Sequence, residues 1–380
     1  TDIKSYLMDS ARRHLNTTDP GLSSIIHQVT DHPGNPEHPK SRLGDLSRQR
    51  PYLLGETLNF LLDASAQDFD QIQLFITRLG RDTHGFEIGG IHNPIFLKGE
   101  QRDLFKAQIA AIALSDGHIH HEKKQFTYIE KDPERIDYVK TLIRNNIGDI
   151  HITHEDRPSA DRLTMPVVFG RLLEQWEIPA GDKHLNPNFR LPEFIRNGTN
   201  QIKTAYLSEV IPEDGYFHTH FGPKFGIKRA QILDAGPKAE QYEFVSIISR
   251  ECKQFILDYG EKRSHIIRDE PAREVVILVW GNLESLKQSE NSNIREVAIQ
   301  LQKAIEENQC QLLTDEKQLC KSLGINVVEK NKEIHLHQSG RVSAIREIHT
   351  QNISDAQRWA ELAMPSSNPK QAKVDEWFNK

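Results

Sequence analysis

The chain has 380 residues, enough for two or three domains with buried cores. Its 48 lysines and arginines against 54 aspartates and glutamates leave a formal charge of −6, which disfavours a protein that is basic over its whole surface but allows a local basic face. Three scattered cysteines without CxxC spacing argue against a disulfide framework and a structural zinc. No apolar run approaches the roughly 20 residues of a membrane span, so we expect an intracellular, cytoplasmic protein without a membrane partner.

The first hundred residues form a region that no motif assigns to a function. Helical spacing predicts helices over 3–15, 52–62 and 68–79. The stretch HPGNPEHP, residues 32–39, excludes regular structure because of its prolines and glycine. We therefore expect residues 1–100 to be a mostly helical N-terminal region of unassigned role.

From about residue 101 the pattern becomes helix, strand, strand, helix. Residues 102–115 have helical spacing without an internal proline or glycine, and Gly117 marks the end of that helix. Residues 119–129 alternate polar and apolar side chains as a hairpin does, and two strand-like runs follow within 150–168. The next predicted helices cover 133–143 and 169–176.

The same order recurs after Gly215 in a stretched form. The apolar run VVILVW is typical of a buried strand. Strands are predicted over 216–225, 228–233, 273–280, 325–328 and 333–337, and helices over 240–257, 293–323 and 354–363. We therefore expect a first repeat at 101–200 and a second at 201–380, with an insertion in the second between 258 and 322.

One short phrase ends a helix in both predicted repeats. Residues 109–117 read IAAIALSDG, and residues 207–215 read LSEVIPEDG. If the two helices pack together, Asp116 and Asp214 emerge side by side at the same end. Two ionised carboxylates a few ångströms apart repel, and a shared proton or divalent cations relieve the repulsion. A single Asp-Gly is a common helix-ending turn, but the matched context of both copies favours a metal site suited to phosphodiester chemistry.

These motifs resemble those of the LAGLIDADG (dodecapeptide, DOD-type) homing endonucleases in their single-chain, two-repeat form. Besides the two nine-residue motifs, residues 172–195 resemble the family's link between repeats, and residues 355–377 are similar to the closing helix of a second repeat. The resemblance covers residues 101–380. It implies an α+β fold of two pseudo-symmetric αββαββα repeats that form a saddle of antiparallel sheets over the DNA major groove.

The resemblance also implies an activity and a set of site residues. The family's members are site-specific, double-strand DNA endonucleases of mobile introns or inteins, and a single chain with two repeats acts as a monomer on a long site. Asp116 and Asp214 would bind Mg²⁺ or Mn²⁺, and Lys183 and Lys370 would act beside the scissile phosphates. Strand residues after each motif would face the DNA, namely His120, Glu122 and Lys124 in the first repeat and His218, His220, Lys224, Lys228 and Arg229 in the second.

The second motif departs from the family pattern at two positions. Glu209 stands where the family prefers a small residue, which predicts a looser contact between the helices. Pro212 falls within the predicted last turn, where a proline removes a backbone donor and predicts a kink that displaces Asp214. These departures leave open a second class of protein, a binding module of the same fold that acts as an RNA maturase or a regulator without cutting DNA.

The histidines leave a third interpretation open. His118, His120 and His121 in one repeat, or His218 and His220 in the other, have the spacing of a mononuclear metal site on a strand. Alternate histidines are equally ordinary polar strand residues. The sequence has no P-loop, no GxGxxG fingerprint and no GxSxG nucleophile elbow, which argues against nucleotide-driven, dinucleotide and serine-hydrolase chemistry.

Overall fold

A computed structural model describes most of the chain from residue 90 onward and parts of the region before it. The described residues are 3–15, 61–63, 69–73, 76, 78–79, 90–181, 189–220, 222–233, 267–270, 275–279, 283, 287–288, 290, 292–337, 341–363 and 371–378. The chain divides into two compact units: Thr1–Leu79 with Ile91–Phe96, and Gly80–Gly90 with Leu97–Lys380. No helix among these residues is long and apolar enough to cross a membrane.

The first unit contains short elements. Helix α1 confirms the predicted helix at 3–15, and Leu7 and Ala11 are fully buried on one side of it. The prediction of a helix over 68–79 is wrong beyond residue 72, because Arg78 and Leu79 form a strand that pairs with His92 and Ile91. The elements are α1 (Ile3–Leu15), α2 (Phe69–Ile72), β1 (Arg78–Leu79) and β2 (Ile91–His92).

The second unit begins with a helix and a four-stranded antiparallel sheet. The strand order in this sheet is β3-β4-β7-β6. Helix α4 begins where the sequence provides a cap, since Asp132 accepts a hydrogen bond from the backbone N–H of Glu134 and Pro133 occupies the first turn. The elements are α3 (Gly99–Leu114), β3 (Gly117–Ile119), β4 (Phe126–Glu130), α4 (Pro133–Ile147), β5 (Asp149–Ile150), β6 (Thr153–Glu155), β7 (Asp161–Met165) and α5 (Val167–Gln175).

A six-stranded antiparallel sheet follows, with the strand order β10-β11-β12-β13-β9-β8. The two strands predicted at 325–328 and 333–337 are one continuous strand with a register shift between Asn331 and Glu333. The helical segment predicted at 293–323 is two helices. The elements are α6 (Glu193–Arg196), α7 (Asn200–Val210), β8 (Gly215–His218), β9 (Lys224–Leu233), β10 (Ile267–Glu270), β11 (Val275–Val279), α8 (Ser292–Glu307), α9 (Gln311–Ser322), β12 (Val327–His337), β13 (Val342–Thr350), α10 (Ile353–Ala363) and α11 (Gln371–Phe378).

The two sheets repeat one arrangement. Strands β8-β9-β13-β12 follow the same order as β3-β4-β7-β6. In each sheet the first hairpin follows the motif helix and lies at one edge. The later pair of strands lies beside the second strand of that hairpin. Helices α9 and α10 take the chain positions of α4 and α5. The predicted α+β fold of two αββαββα repeats with antiparallel sheets is therefore confirmed. In the described part of the chain, strands β10 and β11 and helix α8 have no counterpart in the first repeat. The insertion expected between 258 and 322 stays a prediction.

Helices α3 and α7 pack against each other in the core of this unit. Small side chains permit the close approach, because Ala107, Ala110 and Ala111 of α3 are fully buried. The sheets add aromatic contacts, and Trp359 of α10 stacks on Phe225 of β9 with ring centroids 5.8 Å apart. The predicted packing of the two motif helices therefore rests on buried apolar surface from both repeats.

The glycine that ends each motif is required by a close approach. A Cβ on Gly117 would lie 2.6 Å from the Cα of Ala113, and one on Gly215 would lie 2.5 Å from the Cα of Ile211. Both contacts are with backbone four residues earlier, so no rotamer change relieves them. The two glycines allow the chain to pass from the short turn after each helix into the first strand of each sheet.

Gly117→Ala and Gly215→Ala should each lower the free energy of unfolding by about 1–3 kcal/mol, the usual cost of forcing an extra methyl group into a packed site. Urea denaturation followed by circular dichroism measures this directly. The two variants are matched tests of equivalent positions. A wild-type midpoint in either would contradict the close approach at that helix end.

Candidate metal and nucleic-acid site at the paired helix ends

Helices α3 and α7 end side by side, and each delivers an Asp-Gly pair to the start of a strand. Helix α3 ends at Leu114, two residues before Asp116. Helix α7 ends at Val210, and residues 211–214 form a turn that leads into Gly215. The predicted kink at Pro212 is wrong because the proline lies beyond the end of the helix, where it interrupts no helical hydrogen bond.

Three carboxylates from the two repeats meet at the end of α3. Asp116, Glu130 and Glu213 each place one oxygen within 4.8 Å of the others, and Asp116 is exposed. Asp116 follows α3 and Glu130 ends β4, whereas Glu213 comes from the turn after α7. We call this set the acid cluster. It exists only because the two motif helices pack together.

Glu213 is the buried member of the acid cluster. Its Oε1 accepts hydrogen bonds from the Tyr128 hydroxyl at 3.1 Å, from Arg135 Nε at 2.8 Å and from Arg135 Nη2 at 2.6 Å. Its side chain is 0% exposed, and no described donor reaches its Oε2. Burial raises the pKa of Glu213 to about 8, Arg135 opposes that shift, and the charge of Asp116 adds to it. The acid cluster therefore needs a proton or a cation beside Oε2.

The acid cluster fits a hard divalent cation. Carboxylate oxygens are the ligands that Mg²⁺ and Mn²⁺ prefer. An exposed Asp116 gives access from solvent, and the Oε2 of Glu213 is an acceptor without a described partner. Arg135 does not fill this role, because its guanidinium is directed at Oε1 of Glu213 and at Glu209.

Glu209 is part of the contact between the helices. Its side chain is fully buried, and it accepts hydrogen bonds from Arg135 Nη2 at 2.8 Å, from the Tyr138 hydroxyl and from Gln108 Nε2 at 3.4 Å. Gln108 lies on α3 and Arg135 on α4, so a side chain of the second repeat is held by two elements of the first. The predicted looser contact at Glu209 is wrong, because the carboxylate is paired across the interface.

Asp214, the counterpart of Asp116, has different surroundings. Its carboxylate accepts a hydrogen bond from Nη1 of Arg229, which is itself buried with 4% of its side chain exposed. Arg229 also binds the fully buried Glu316, with Nε 3.1 Å from Oε2, and donates to Ser115 Oγ at 3.2 Å. Desolvation opposes the charge of Arg229, but Glu316 and Asp214 outweigh it and hold its pKa well above the ordinary value. Asp214 belongs to neither group of possible metal ligands among the described residues.

The strand registers show that Arg229 and Glu130 occupy equivalent positions. Gly117 pairs with Tyr128, and Gly215 pairs with Ile227. Two residues further along β4 is Glu130, and two residues further along β9 is Arg229. The same strand position therefore carries a negative charge beside Asp116 and a positive charge beside Asp214.

The first group of predicted DNA-facing residues is not on a strand. Strand β3 ends at Ile119, and residues 120–125 form a loop that is closed by hydrogen bonds between His120 N and Gln125 O and between Lys124 N and His120 O. Lys124 has a positive φ of 53°, and its Nζ donates to Glu174 at 2.7 Å. The predicted strand placement of His120, Glu122 and Lys124 is therefore wrong, because the loop begins one residue after Ile119.

The second group is divided between two faces of the sheet. His218 and His220 are exposed, and Lys224 and Lys228 lie half-buried on one face of β9. Arg229 was predicted to continue this face, but strand alternation directs it to the opposite side, where it is 5% exposed. That correction places Arg229 beside Asp214 instead of facing DNA.

Tyr216 organises a group of cations on the open face of the second sheet. Its ring lies against Gly226, where a Cβ would come within 2.4 Å of it, and it stacks on His218 at 5.4 Å. The Nζ atoms of Lys228 and Lys332 lie 4.9 and 5.8 Å from the ring centroid. Burial lowers the pKa of Lys228, and Lys332 lowers it further. We call Tyr216, His218, Lys228 and Lys332 the cationic platform.

Glu347, on the neighbouring strand β13, reduces the positive charge of the cationic platform. Its Oε2 lies 3.3 Å from Nζ of Lys332, and it faces Lys228 across the β9–β13 pair. The charge of Glu333 also acts on Lys228. The ammonium groups of both lysines can donate to an anion such as a phosphate.

The other predicted site residues have separate outcomes. Lys183 and Lys370 lie outside the described residues. Within the described part of the chain, His118, His120, His121, His218 and His220 belong to no group of three possible metal ligands, whereas His154, Asp156 and the half-buried Asp161 form such a group. Sequence reasoning missed Glu130, Glu213, Arg135 and Glu316. For Glu213 the signal was present, because it directly precedes the motif aspartate.

Comparison with known proteins gives a distant likeness only. No family model and no curated protein matches the chain. The crystal structure of I-DmoI in complex with DNA and Ca is 8% identical, covers 73% of this chain and 100% of its own, and gives a TM-score of 0.36. Mesophilic variants of the homing endonuclease I-DmoI give 0.33 at 8% identity, with 73% and 100% covered. The N-terminal LAGLIDADG domain of DUF199/WhiA gives 0.32 at 8% identity, with 72% and 87% covered. At these TM-scores the likeness assigns no function to this chain.

Arg135→Met should lower the free energy of unfolding by about 3–5 kcal/mol, because it leaves the buried carboxylates of Glu209 and Glu213 without their cation. Arg157→Met is the matched control. Arg157 pairs with Glu155 at the surface, where 42% of its side chain is exposed, and its loss should cost less than about 1 kcal/mol.

Chemical denaturation of both variants measures the difference. Replacing Glu209 by Leu together with Arg135→Met should recover part of the loss, since one uncompensated charge is then removed. Equal stability of the two single variants would contradict a structural role for the buried pair.

Proposed function

We propose that the chain is a two-repeat, LAGLIDADG-type endonuclease that hydrolyses phosphodiester bonds in duplex DNA with Mg²⁺ or Mn²⁺ held at the acid cluster. The observation that carries this proposal is the meeting of Asp116, Glu130 and Glu213 at the end of the packed motif helices. The three carboxylates come from both repeats, so the site depends on the duplicated architecture.

The surroundings of the acid cluster support a cation-dependent reaction. A bound divalent cation supplies water activation and stabilises charge on the leaving oxygen of a phosphodiester. Arg135 and Tyr128 hold Glu213 through Oε1 and leave Oε2 directed to other partners. Asp116 is the exposed carboxylate of the acid cluster, which gives solvent access to the site.

The cationic platform supports a nucleic-acid substrate. It lies on β8, β9 and β12, the strands that follow the second motif, and the positions of its two lysines suit phosphate oxygens. We assign DNA contacts to Lys224, Lys228, His218 and His220 on this side. His120, Glu122 and Lys124 would contact DNA from the loop after β3. Lys183 and Lys370 stay candidates for offsetting charge beside the scissile phosphates.

The two repeats lie in one chain, which supports action as a monomer on a long, asymmetric site. Each repeat contributes a helix end and a sheet, so a second subunit is not needed to complete the pair. Residues 1–100 would then extend the DNA footprint as an accessory arm.

The second candidate function is nucleic-acid binding without cleavage, as in an RNA maturase or a regulator. The ion pair of Asp214 with Arg229 favours it, since it withdraws one of the two motif aspartates from metal binding. The acid cluster favours the nuclease, because a binding protein gains nothing from a group of three carboxylates beside phosphates.

Incubation with a library of randomised duplexes in Mg²⁺, followed by sequencing of new ends, tests the proposed function. With the wild type, new ends are expected to cluster at one long motif. The number of these ends should fall about 100-fold or more with Asp116→Asn. Asp156→Asn in the exposed His154 group is the matched control, which should keep wild-type cleavage. Enrichment of bound duplexes without new ends would establish the binding protein instead.

The salt dependence of binding tests the cationic platform. Lys228→Gln and Lys332→Gln should each reduce the slope of log K against log[salt] by about 1, because each removes one phosphate contact. Lys303→Gln on helix α8, where 73% of the side chain is exposed, should leave the slope unchanged. Wild-type slopes in both platform variants would remove the platform from the DNA interface.

A further inference from the structure

The two motif aspartates differ in the charge that faces them. We infer that only the half-site of Asp116 takes up a divalent cation, that Arg229 permanently replaces the cation in the half-site of Asp214, and that the chain therefore nicks one strand of its duplex. The statement about strand cleavage rests on the proposed function, and the statement about cation number does not.

Arg229 is fixed beside Asp214 by more than one ion pair. Its guanidinium donates to Asp214, to both oxygens of Glu316 and to Ser115 Oγ. The Tyr206 hydroxyl also donates a hydrogen bond to Oε1 of Glu316, at 2.7 Å. Moving Arg229 aside for a metal ion would leave Glu316, which is 0% exposed, as an uncompensated buried carboxylate. The arginine is therefore a permanent part of this half-site.

The half-site of Asp116 has a carboxylate in place of this arginine. Glu130 stands at the strand position that Arg229 takes in the second repeat. Arg135 is committed to Glu209 and to Oε1 of Glu213, while Oε2 of Glu213 is buried without a described donor. This buried oxygen, directed into a group of three carboxylates, is the second observation that points to a cation ligand there.

The difference has a chemical consequence for each strand. A guanidinium neutralises Asp214, but it has no coordination position for water and it does not accept a proton near neutral pH. Water activation by a metal is thus confined to the strand that lies at Asp116. The other strand meets a neutral ion pair, which helps to hold the duplex but supplies no nucleophile.

Manganese titration counts the cations without any cleavage assay. Mn²⁺ is added to the full chain carrying His154→Ala, which removes the exposed His154 group, and free Mn²⁺ is followed by electron paramagnetic resonance. Asp116→Asn and Asp214→Asn are matched substitutions at equivalent positions. The expected result is the loss of one tight ion per chain with Asp116→Asn and no loss with Asp214→Asn.

Cleavage of a supercoiled plasmid that carries the selected site tests the strand assignment. The wild type should accumulate open circles. Mapping of the ends should place at least about 90% of the breaks on one strand, because this is the share that a tenfold rate difference between the half-sites gives. Asp116→Asn should remove those breaks.

Loss of one ion with Asp214→Asn, or retention of all ions with Asp116→Asn, would overturn the inference. Equal breakage of both strands would overturn its second part. No breakage at all, with the ion count as expected, would instead refute the proposed nuclease function and leave the single cation site in place. Circular dichroism of each variant confirms that the compared chains are folded.

Discussion

Burying carboxylates where two helices meet obliges this chain to supply a positive charge for them. The requirement is met twice, by Arg135 for Glu209 and Glu213 and by Arg229 for Glu316 and Asp214. Each arginine lies at the boundary between the repeats, so the ion pairs also define how the motif helices sit against each other. Glu209 shows this directly, because its partners on α3 and α4 hold α7 against the first repeat.

The fold was accessible from the sequence because its signals are local and repeated. Helical spacing, the Asp-Gly endings and the order of strands after each motif predicted a repeated pattern of helices and strands, and the resemblance to the LAGLIDADG family implied its αββαββα form. The wrong predictions concern short loops and short strands, which the spacing of apolar residues does not distinguish. Residues 120–125 were placed on a strand as DNA-facing positions but close into a loop, and Arg78 and Leu79 continue a helical pattern but pair as a strand.

The candidate site was less accessible, because its chemistry depends on contacts between distant residues. Asp116 was found from its motif, but Glu130 and Glu213 join it only through a hairpin register and the packing of α3 on α7. Arg229 illustrates the same limit. Its neighbour Lys228 lies on the open face of the sheet. The alternation of side chains along β9 then shows that Arg229 faces the helix ends.

The extra elements of the second repeat have a consequence for the behaviour of the sheet as a surface for other chains. In the first sheet the outer strand β6 has only 3 residues, too short to template another strand. Its counterpart β12 has 11 residues, and alone it would present a long row of unpaired amide and carbonyl groups. Strand β11 pairs with β12 over five residues, and β10 then ends the sheet with a strand of 4 residues. The edge strand among the described residues is therefore short, and a short edge strand is a poor template for β-strand addition.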